Sequence, residues 1–194
     1  MLNILLVSGG IDSIYLFLKH KYDKYIFIDY NQPSLKEEMR SLDHFGVPYE
    51  TIQIHYLPTE KTGKVTGDRV SDDGYVWGRN LEIAMVIRKL YHDKDIALHW
   101  GVNGEDCGIG NTPVFLKKVE DILNESYKKR IRMVCPLETM MKAQVVEEIN
   151  KVITKEDFKF LWTCEQPEKD GKQCGKCRSC IDADENERRL SKKD

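Results

Sequence analysis

A short apolar run near the N-terminus, residues 2–7, leads directly into the stretch Val7-Ser8-Gly9-Gly10-Ile11-Asp12-Ser13, and helical apolar spacing follows over residues 14–18. This order predicts a buried strand, a tight turn and a helix. Two glycines let the backbone turn sharply and approach a ligand, and the amides at the start of the following helix favour an anion. The residues therefore predict a phosphate-binding turn, although an ordinary strand-to-helix turn can also contain two glycines and a polar cap.

The alternation of strand and helix patterns continues along the chain. Further strands are predicted over residues 25–29, 49–54, 96–100 and 131–134, and helices over 34–45, 80–90, 114–123 and 142–153. A polar segment without periodicity, 57–75, is predicted to be a long loop. Alternating strands and helices imply an α/β fold, a parallel sheet covered by helices on both faces. We assign residues 1–154 to this α/β domain and residues 155–194, where cysteines punctuate a polar segment, to a small C-terminal module.

The composition predicts a globular protein without a broad basic surface. Hydrophobic residues make up 41% of the 194 residues, and 30 Lys and Arg against 32 Asp and Glu give a net charge of −2. This balance gives no strong signal for nucleic-acid binding, which relies on basic surface. No segment approaches the ~20 apolar residues of a membrane helix. The N-terminal run also lacks the basic start and the cleavage site of a secretory signal. We therefore expect a cytoplasmic protein with reduced cysteines.

Four of the six cysteines lie close together near the C-terminus, in the spacing C-x9-C-x2-C-x2-C formed by Cys164, Cys174, Cys177 and Cys180. Four thiolates can enclose a zinc ion tetrahedrally, and such a site is structural because no position is left for water. A redox-active C-x-x-C pair, an iron–sulfur cluster and unrelated thiols are the alternatives. The number of cysteines and the lack of a cluster-type cysteine run favour zinc. We interpret the other two, Cys107 and Cys135, as small buried residues.

The turn over residues 8–13 matches the S-G-G-x-D-S signature of the PP-loop ATP pyrophosphatases, whose fold is Rossmann-like (adenine nucleotide alpha hydrolase-like). It is neither a Walker A motif nor a dinucleotide fingerprint, which disfavours a kinase or an NAD enzyme. With the four cysteines, the chain resembles the 7-cyano-7-deazaguanine synthase (QueC-like) family. Partial matches follow in the family's order: Tyr30-Asn31-Gln32…Glu37 resembles Y-G-Q…E, Val76-Trp77-Gly78-Arg79-Asn80 resembles P-G-R-N, Gly101-Val102-Asn103…Asp106 resembles G-V…D, and Pro136-Leu137…Lys142-Ala143 resembles P-L…K-A.

This resemblance implies an ATP-dependent carbon–nitrogen ligase of queuosine (deazapurine) biosynthesis. Such an enzyme converts 7-carboxy-7-deazaguanine and ammonia to 7-cyano-7-deazaguanine through adenylated intermediates. The implied cofactors are ATP, Mg²⁺ and Zn²⁺, with the nucleotide bound by residues 7–13, and the implied assembly is a homodimer.

Particular side chains receive roles on the same basis. Asp12 is the candidate to hold magnesium and Lys142 the candidate to stabilise phosphate charge, and both are therefore catalytic candidates. The candidate substrate contacts are Gln32, Glu37, Arg79, Asn80 and Asp106. Helix capping, favourable charge at a helix start and simple exposure are the ordinary alternatives for several of these residues.

The sequence departs from the family pattern in a shortened loop before Val76 and in two further places. Pro33-Ser34 stands where an Arg-His or Lys-His pair is usual, and residues 108–113 replace a Y-P-D-C segment. Both changes spare the turn and the cysteines but touch predicted substrate-facing positions. A divergent ligase that stops at an amide, uses another amine or activates another acid is therefore an alternative. A tRNA-modifying PP-loop enzyme of the thiolase type and a non-catalytic, zinc-stabilised nucleotide-binding module are the others.

Overall fold

The computed structural model describes residues 1–54, 78–106, 110–177 and 179–184. The predicted loop 57–75, the motif residues Val76 and Trp77, and Cys107 with residues 108–109 lie outside the described residues. Five strands are described: β1 (Leu2–Val7), β2 (Lys24–Asp29), β3 (Tyr49–Gln53), β4 (Ile96–His99) and β5 (Ile131–Val134). The described helices are α1 (Ile11–Lys19), α2 (Leu35–His44), α3 (Arg79–Leu90), α4 (Pro113–Ser126), α5 (Lys142–Ile149) and α6 (Lys155–Phe158), and residues 179–184 are also helical.

The described strands form one parallel sheet in the order β3-β2-β1-β4-β5, which confirms the predicted Rossmann-like α/β fold. The chain adds strands on one side of β1 and then crosses to add β4 and β5 on the other side. The loops that follow β1 and β4 therefore lead away from each other at the carboxyl ends of these strands. Open α/β sheets bind their ligands in the crevice at such a reversal of strand order.

Two apolar clusters cover the two faces of the sheet. Successive side chains of a strand point to opposite faces, so the neighbours Ile4 and Leu5 of β1 belong to different clusters. The cluster around Ile4 includes apolar side chains of α3 and α4, and the cluster around Leu5 includes those of α1, α2 and α5. Helices therefore cover both faces, as the alternating pattern predicts.

The outer edge of β5 is protected by side chains of α4. The Asn124 side chain accepts a hydrogen bond from the Ile131 N–H (2.8 Å) and donates one to the Ile131 carbonyl (2.9 Å). The Glu120 carboxylate accepts a hydrogen bond from the Met133 N–H (2.7 Å). Backbone groups at this edge are thus paired within the chain, which limits edge-to-edge association of sheets.

An arginine with no exposed surface joins α3 to the chain before β5. The Arg88 guanidinium donates hydrogen bonds to the carbonyls of Arg130 (3.1 Å), Lys94 (2.9 Å) and Tyr91, and lies 5.5 Å from the ring centre of Tyr127. Because buried polar groups are costly when unpaired, these bonds are what allow the burial of this charge. Arg88 is therefore a structural residue at the end of the sheet opposite the candidate site.

Replacing this arginine is expected to destabilise the fold. Arg88→Met should lower the free energy of unfolding by about 3 kcal/mol, because buried carbonyls lose their donors. Urea unfolding of the purified variant measures this. Arg132→Met, which changes an exposed arginine on β5, is the matched control and should shift the free energy by less than about 0.5 kcal/mol. Equal unfolding free energies for the two variants would contradict the structural role of Arg88.

The helices differ from the prediction at several ends, and a short helix was not predicted. The helix predicted over 114–123, for example, continues to Ser126. The helix predicted over 142–153 ends at Ile149, because the next turn is tighter and the Val152 N–H bonds to the Ile149 carbonyl (2.9 Å). The short helix α6 was not predicted, although Thr154 and Asp157 form a capping box at its start. Leu161, just after α6, packs in the cluster around Leu5. The division of the chain at residue 154 remains a prediction.

Candidate active site and four-cysteine cluster

The turn between β1 and α1 is held in a conformation that requires glycine. Gly9 has a φ of +70°, and a Cβ atom there would lie 2.6 Å from the carbonyl oxygen of Glu38 in α2. The Ser13 hydroxyl donates a hydrogen bond to the Gly10 carbonyl (3.0 Å) and accepts one from the Ser8 N–H (3.2 Å). The predicted nucleotide-binding residues 7–13 thus span the end of β1, a tight turn and the start of α1, and the Ser13 hydroxyl joins the two sides of the turn.

The first turn of α1 offers backbone donors. Its N-cap residue is Gly10, which has no side chain to accept a hydrogen bond from the amides that follow. Amides at the start of a helix have no partner within the helix, and the helix dipole favours negative charge there. The geometry fits an anion such as the phosphate group of ATP.

Asp12 and Lys142, far apart in sequence, meet beside this turn. The Lys142 ammonium forms an ion pair with Asp12 Oδ2, and about four fifths of each side chain is buried. The second carboxylate oxygen, Asp12 Oδ1, is buried and has no hydrogen-bond partner among the described residues. A buried, unpaired carboxylate oxygen calls for an explanation, and a ligand or cation is a common one. The two predicted catalytic residues are therefore adjacent.

Acidic residues of the segment after β4 complete this end of the site. The carboxylate of Asp106 accepts a hydrogen bond from the Asn103 N–H (2.7 Å), and that of Glu105 accepts one from the Lys142 N–H (2.8 Å). Burial raises the pKa of Asp106, the Asn103 amide opposes the rise, and the Asp12 carboxylate adds to it. Asp106, predicted as a substrate contact, thus lies within electrostatic reach of Asp12. Two carboxylates, one with an unpaired oxygen, supply the hard oxygen ligands that Mg²⁺ prefers, so the residues present fit this ion.

A second polar cluster lies after β2 and at the start of α2. The Glu38 carboxylate accepts hydrogen bonds from the Ser34 hydroxyl (2.6 Å) and the Gln32 side-chain amide (2.8 Å). The Gln32 side chain is itself fixed by the Tyr30 N–H (3.1 Å) and the Ile28 carbonyl (3.2 Å). Burial raises the pKa of Glu38, while the Ser34 and Gln32 hydrogen bonds and the Arg79 charge lower it. This cluster therefore contains the Gln32 amide, whose orientation is fixed by hydrogen bonds, and the desolvated carboxylate of Glu38.

Arg79 and Asn80 connect the second cluster to the segment before α4. The Arg79 guanidinium donates a hydrogen bond to the Tyr30 hydroxyl (3.3 Å) and lies 5.9 Å from the centre of that ring. The Asn80 side chain donates to the Gly110 carbonyl (2.8 Å) and the Asn111 side chain (3.2 Å). The structure therefore brings Gln32, Arg79 and Asn80 to neighbouring positions, with Arg79 as the cation.

Glu37 lies apart from these contacts. Its carboxylate approaches Gly171, where an added Cβ atom would lie 3.1 Å away, whereas the next residue, Glu38, bonds to Gln32. Sequence reasoning missed Glu38 and Tyr30 as members of the cluster. The signal for Glu38 was the Ser34-to-Glu38 spacing of four residues, which places both side chains on one face of a helix.

The four cysteines converge on one point. Their sulfur atoms all lie within 4.8 Å of one another, and the Sγ atoms of Cys164 and Cys177 are 4.0 Å apart. A tetrahedral zinc ion with Zn–S bonds of about 2.3 Å requires sulfur atoms roughly 3.8 Å apart, so the residues fit. Burial raises the pKa of the Cys174 thiol, but the amides of Lys176 and Cys177 and neighbouring thiols bring it down to about 7. The convergence of the four sulfur atoms therefore suits the cluster to hold a metal ion.

Cys135 lies outside this cluster, as predicted, and it is half-buried. Burial, with the carboxylates of Glu138 and Asp106, raises the pKa of its thiol to about 12. At neutral pH it is a protonated, unreactive thiol.

A parallel sheet of this order, with an S-G-G-x-D-S turn where the strand order reverses, defines an enzyme of the ATP-using PP-loop class. Within that class, the chain belongs to the family described as "Queuosine biosynthesis protein QueC", whose profile matches residues 2–186. The family resemblance of the sequence is thereby confirmed. Among the described residues, no helix has the length and apolar character needed to cross a membrane.

Two curated relatives carry the name 7-cyano-7-deazaguanine synthase. The chain is 26% identical over 205 residues to the 7-cyano-7-deazaguanine synthase of Pseudomonas paraeruginosa, covering 91% of this chain and 89% of the relative. It is 24% identical over 211 residues to that of Methanococcus maripaludis, covering 92% and 90%. A solved structure, "predicted subunit of tRNA methyltransferase" from Methanocaldococcus jannaschii, matches with a TM-score of 0.49 and 17% identity over 76% of this chain and 74% of that one.

Proposed function

We propose that this protein converts 7-carboxy-7-deazaguanine and ammonia to 7-cyano-7-deazaguanine at the expense of ATP. The observation that carries the proposal is the Asp12–Lys142 pair beside the open first turn of α1, with Asp12 Oδ1 buried and unpaired among the described residues. It combines backbone donors, a cation and a free carboxylate oxygen at the point where a PP-loop enzyme binds triphosphate.

The first step is activation of a poor electrophile. A carboxylate oxygen of the acid attacks the α-phosphorus of ATP, which forms an adenylate and releases pyrophosphate. Charge develops on the phosphate oxygens, where Lys142 and the amides of the turn stabilise it. Asp12 and Asp106 would hold Mg²⁺, which supplies Lewis-acid neutralisation of phosphate charge.

Ammonia then attacks the activated carbonyl carbon, and AMP and one proton leave to give the amide. A second ATP activates the amide oxygen in the same way, and loss of AMP and of both protons of the amide nitrogen gives the nitrile. Each of the two carboxylate oxygens therefore leaves on one AMP. One site with one set of phosphate donors serves both activations, because each forms a bond from a substrate oxygen to an α-phosphorus.

The second polar cluster is the proposed substrate end of the site. The ring edge of a deazaguanine carries N–H donors, for which the Glu38 carboxylate and the Gln32 side chain are suitable partners. The planar guanidinium of Arg79 suits a carboxylate or a phosphate. We propose Asn80 as the residue that positions Arg79 and residues 110–111, and the four cysteines as a structural zinc site.

Product analysis tests the proposal directly. The purified protein, incubated with 7-carboxy-7-deazaguanine, MgATP and an ammonium salt, should give AMP and a product with the mass of the nitrile. AMP with an amide or another adduct would support the divergent ligase instead. Absence of AMP with this acid and with other acids would support the non-catalytic module. Retention of tRNA at moderate salt would support the tRNA-modifying alternative.

The structure favours Glu38 as a substrate contact, whereas the family resemblance indicates its neighbour Glu37. Variants of the two residues decide between them. Glu38→Gln should raise the KM for the acid substrate about tenfold or more, because the amide puts an NH2 donor in place of one of the two oxygens that accept from Ser34 and Gln32. Glu37→Gln, the matched control, should change KM less than about twofold. Steady-state AMP formation at saturating MgATP measures both. The reverse order of effects would assign substrate recognition to Glu37.

A further inference from the structure

The four-cysteine cluster is bonded to the nucleotide turn through the segment 162–164. The backbone N–H of Trp162 donates a hydrogen bond to the Gly9 carbonyl (3.1 Å). The Trp162 side chain is buried against Cys164 and Cys180, and its indole N–H donates to the Cys164 carbonyl (2.7 Å). One short segment therefore contacts the turn with its first residue and supplies a cysteine of the cluster with its last.

A second donor reaches the same carbonyl from α2. The Ser41 hydroxyl, which is fully buried, donates a hydrogen bond to the Gly9 carbonyl (2.7 Å). A carbonyl oxygen has two lone pairs, so Ser41 and Trp162 together satisfy it. Two segments distant in sequence therefore hold one peptide group of the turn.

Hydrogen bonds that orient the Gly9 carbonyl also orient the N–H of Gly10. The peptide unit is planar and trans, so the N–H of Gly10 points in the direction opposite to the Gly9 carbonyl. Gly10 is the N-cap residue of α1, where an anion is expected to bind. A turn whose donors are already oriented loses less conformational freedom on binding than one that must be ordered by the ligand.

We propose that the four-cysteine cluster, in addition to any role in folding, orients the nucleotide turn through Trp162, with Ser41 as the second anchor. Trp162 and Ser41 are positioning residues in this proposal. That the bound anion is ATP rests on the proposed function. Coupling between two sites is reciprocal, so nucleotide binding should also tighten metal binding by the same factor.

Two variants that keep all four cysteines test the coupling. Ser41→Ala removes one hydrogen bond to Gly9, and Trp162→Phe removes the indole donor while keeping a buried aromatic ring. Ser126→Ala, which removes a hydroxyl bonded to the Ile122 carbonyl on α4, is the matched control. The measurements are amide hydrogen exchange over residues 8–13 in the nucleotide-free protein, zinc content, and the Kd for α,β-methylene-ATP with Mg²⁺.

We expect faster exchange over residues 8–13 in both variants and a Kd about five- to tenfold higher, with zinc content unchanged. In the wild-type protein, the nucleotide analogue should reduce the loss of zinc to a chelator. Unchanged exchange and an unchanged Kd in Ser41→Ala and in any folded Trp162→Phe would overturn the proposal. A wild-type protein that binds no nucleotide would instead overturn the proposed function, and exchange in the nucleotide-free protein would still decide the coupling.

Discussion

Asp12→Asn is expected to lower the rate of AMP formation by at least about a thousandfold. The substitution keeps the size of the side chain but removes the charge that pairs with Lys142. It also leaves one oxygen where the carboxylate has two, one paired with Lys142 and one, unpaired among the described residues, that we assign to Mg²⁺. The variant should still fold, with a free energy of unfolding lower by no more than about 3 kcal/mol, because the Asn side chain keeps an oxygen that can accept a hydrogen bond from the Lys142 ammonium. Release of AMP from MgATP and the acid substrate measures the rate, and urea unfolding measures the stability.

Asp95→Asn is the matched control for this variant. Asp95 accepts a hydrogen bond from the Arg130 N–H (2.8 Å) just before β4, at the opposite end of the sheet from the site. Its AMP formation should remain within about twofold of the wild type. Retention of more than a tenth of the wild-type rate by Asp12→Asn would be incompatible with the role that we assign to the carboxylate.

A substitution of Lys142 tests whether the ion pair with Asp12 acts as one unit. Because Lys142 and Asp12 form one ion pair, their contributions should not add. Lys142→Met should lose most of the activity on its own, and the double variant should be no slower than the slower single variant. Strictly multiplicative losses would mean that the two side chains act at separate places.

The second large effect concerns the metal. Cys177→Ser is expected to lower the affinity for zinc by at least about 100-fold and to lower the free energy of unfolding by several kcal/mol, because structural zinc contributes roughly 10–16 kcal/mol in small modules. Cys177 provides one of four sulfur atoms that lie within 4.8 Å of one another. Metal analysis after dialysis, together with urea unfolding, gives both quantities.

Cys135→Ser is the matched control, since this half-buried thiol lies outside the cluster. The control should retain as much zinc as the wild-type protein. A Cys177→Ser variant that stays folded, fully active and equally rich in zinc would refute the structural metal site. Iron and sulfide in the purified wild-type protein would favour the iron–sulfur alternative.

The elements that the sequence predicts best are those with strong local signals. Residues 2–7 and 131–134 are short segments rich in apolar residues, and both are strands with the predicted bounds. The glycine-rich turn also has a strong local signal, and the structure adds that the approach of α2 leaves no room for a Cβ atom at residue 9. Parallel topology then brings the carboxyl ends of β1 and β4 together, so candidates chosen separately along the chain can lie in one site.

Contacts that depend on helix phase or on distant segments were not predictable. The resemblance indicates Glu37, but in the structure the neighbouring residue Glu38 bonds to Gln32. Which of the two faces Gln32 depends on the rotation of α2 about its own axis. Such a rotation is fixed by packing across the sheet rather than by local propensity. The bond from Trp162 to Gly9 joins two ends of the described chain, and no spacing rule connects them.

Transfer of ¹⁸O from the acid to AMP tests the central claim, activation of a substrate oxygen by adenylation, most directly. With both carboxylate oxygens of 7-carboxy-7-deazaguanine labelled, the account predicts one ¹⁸O in every AMP formed during turnover and two labelled AMP molecules for each nitrile. Mass spectrometry of AMP and product gives both numbers. AMP that contains no ¹⁸O while product accumulates would contradict the account, because ATP would then be split without activating the acid.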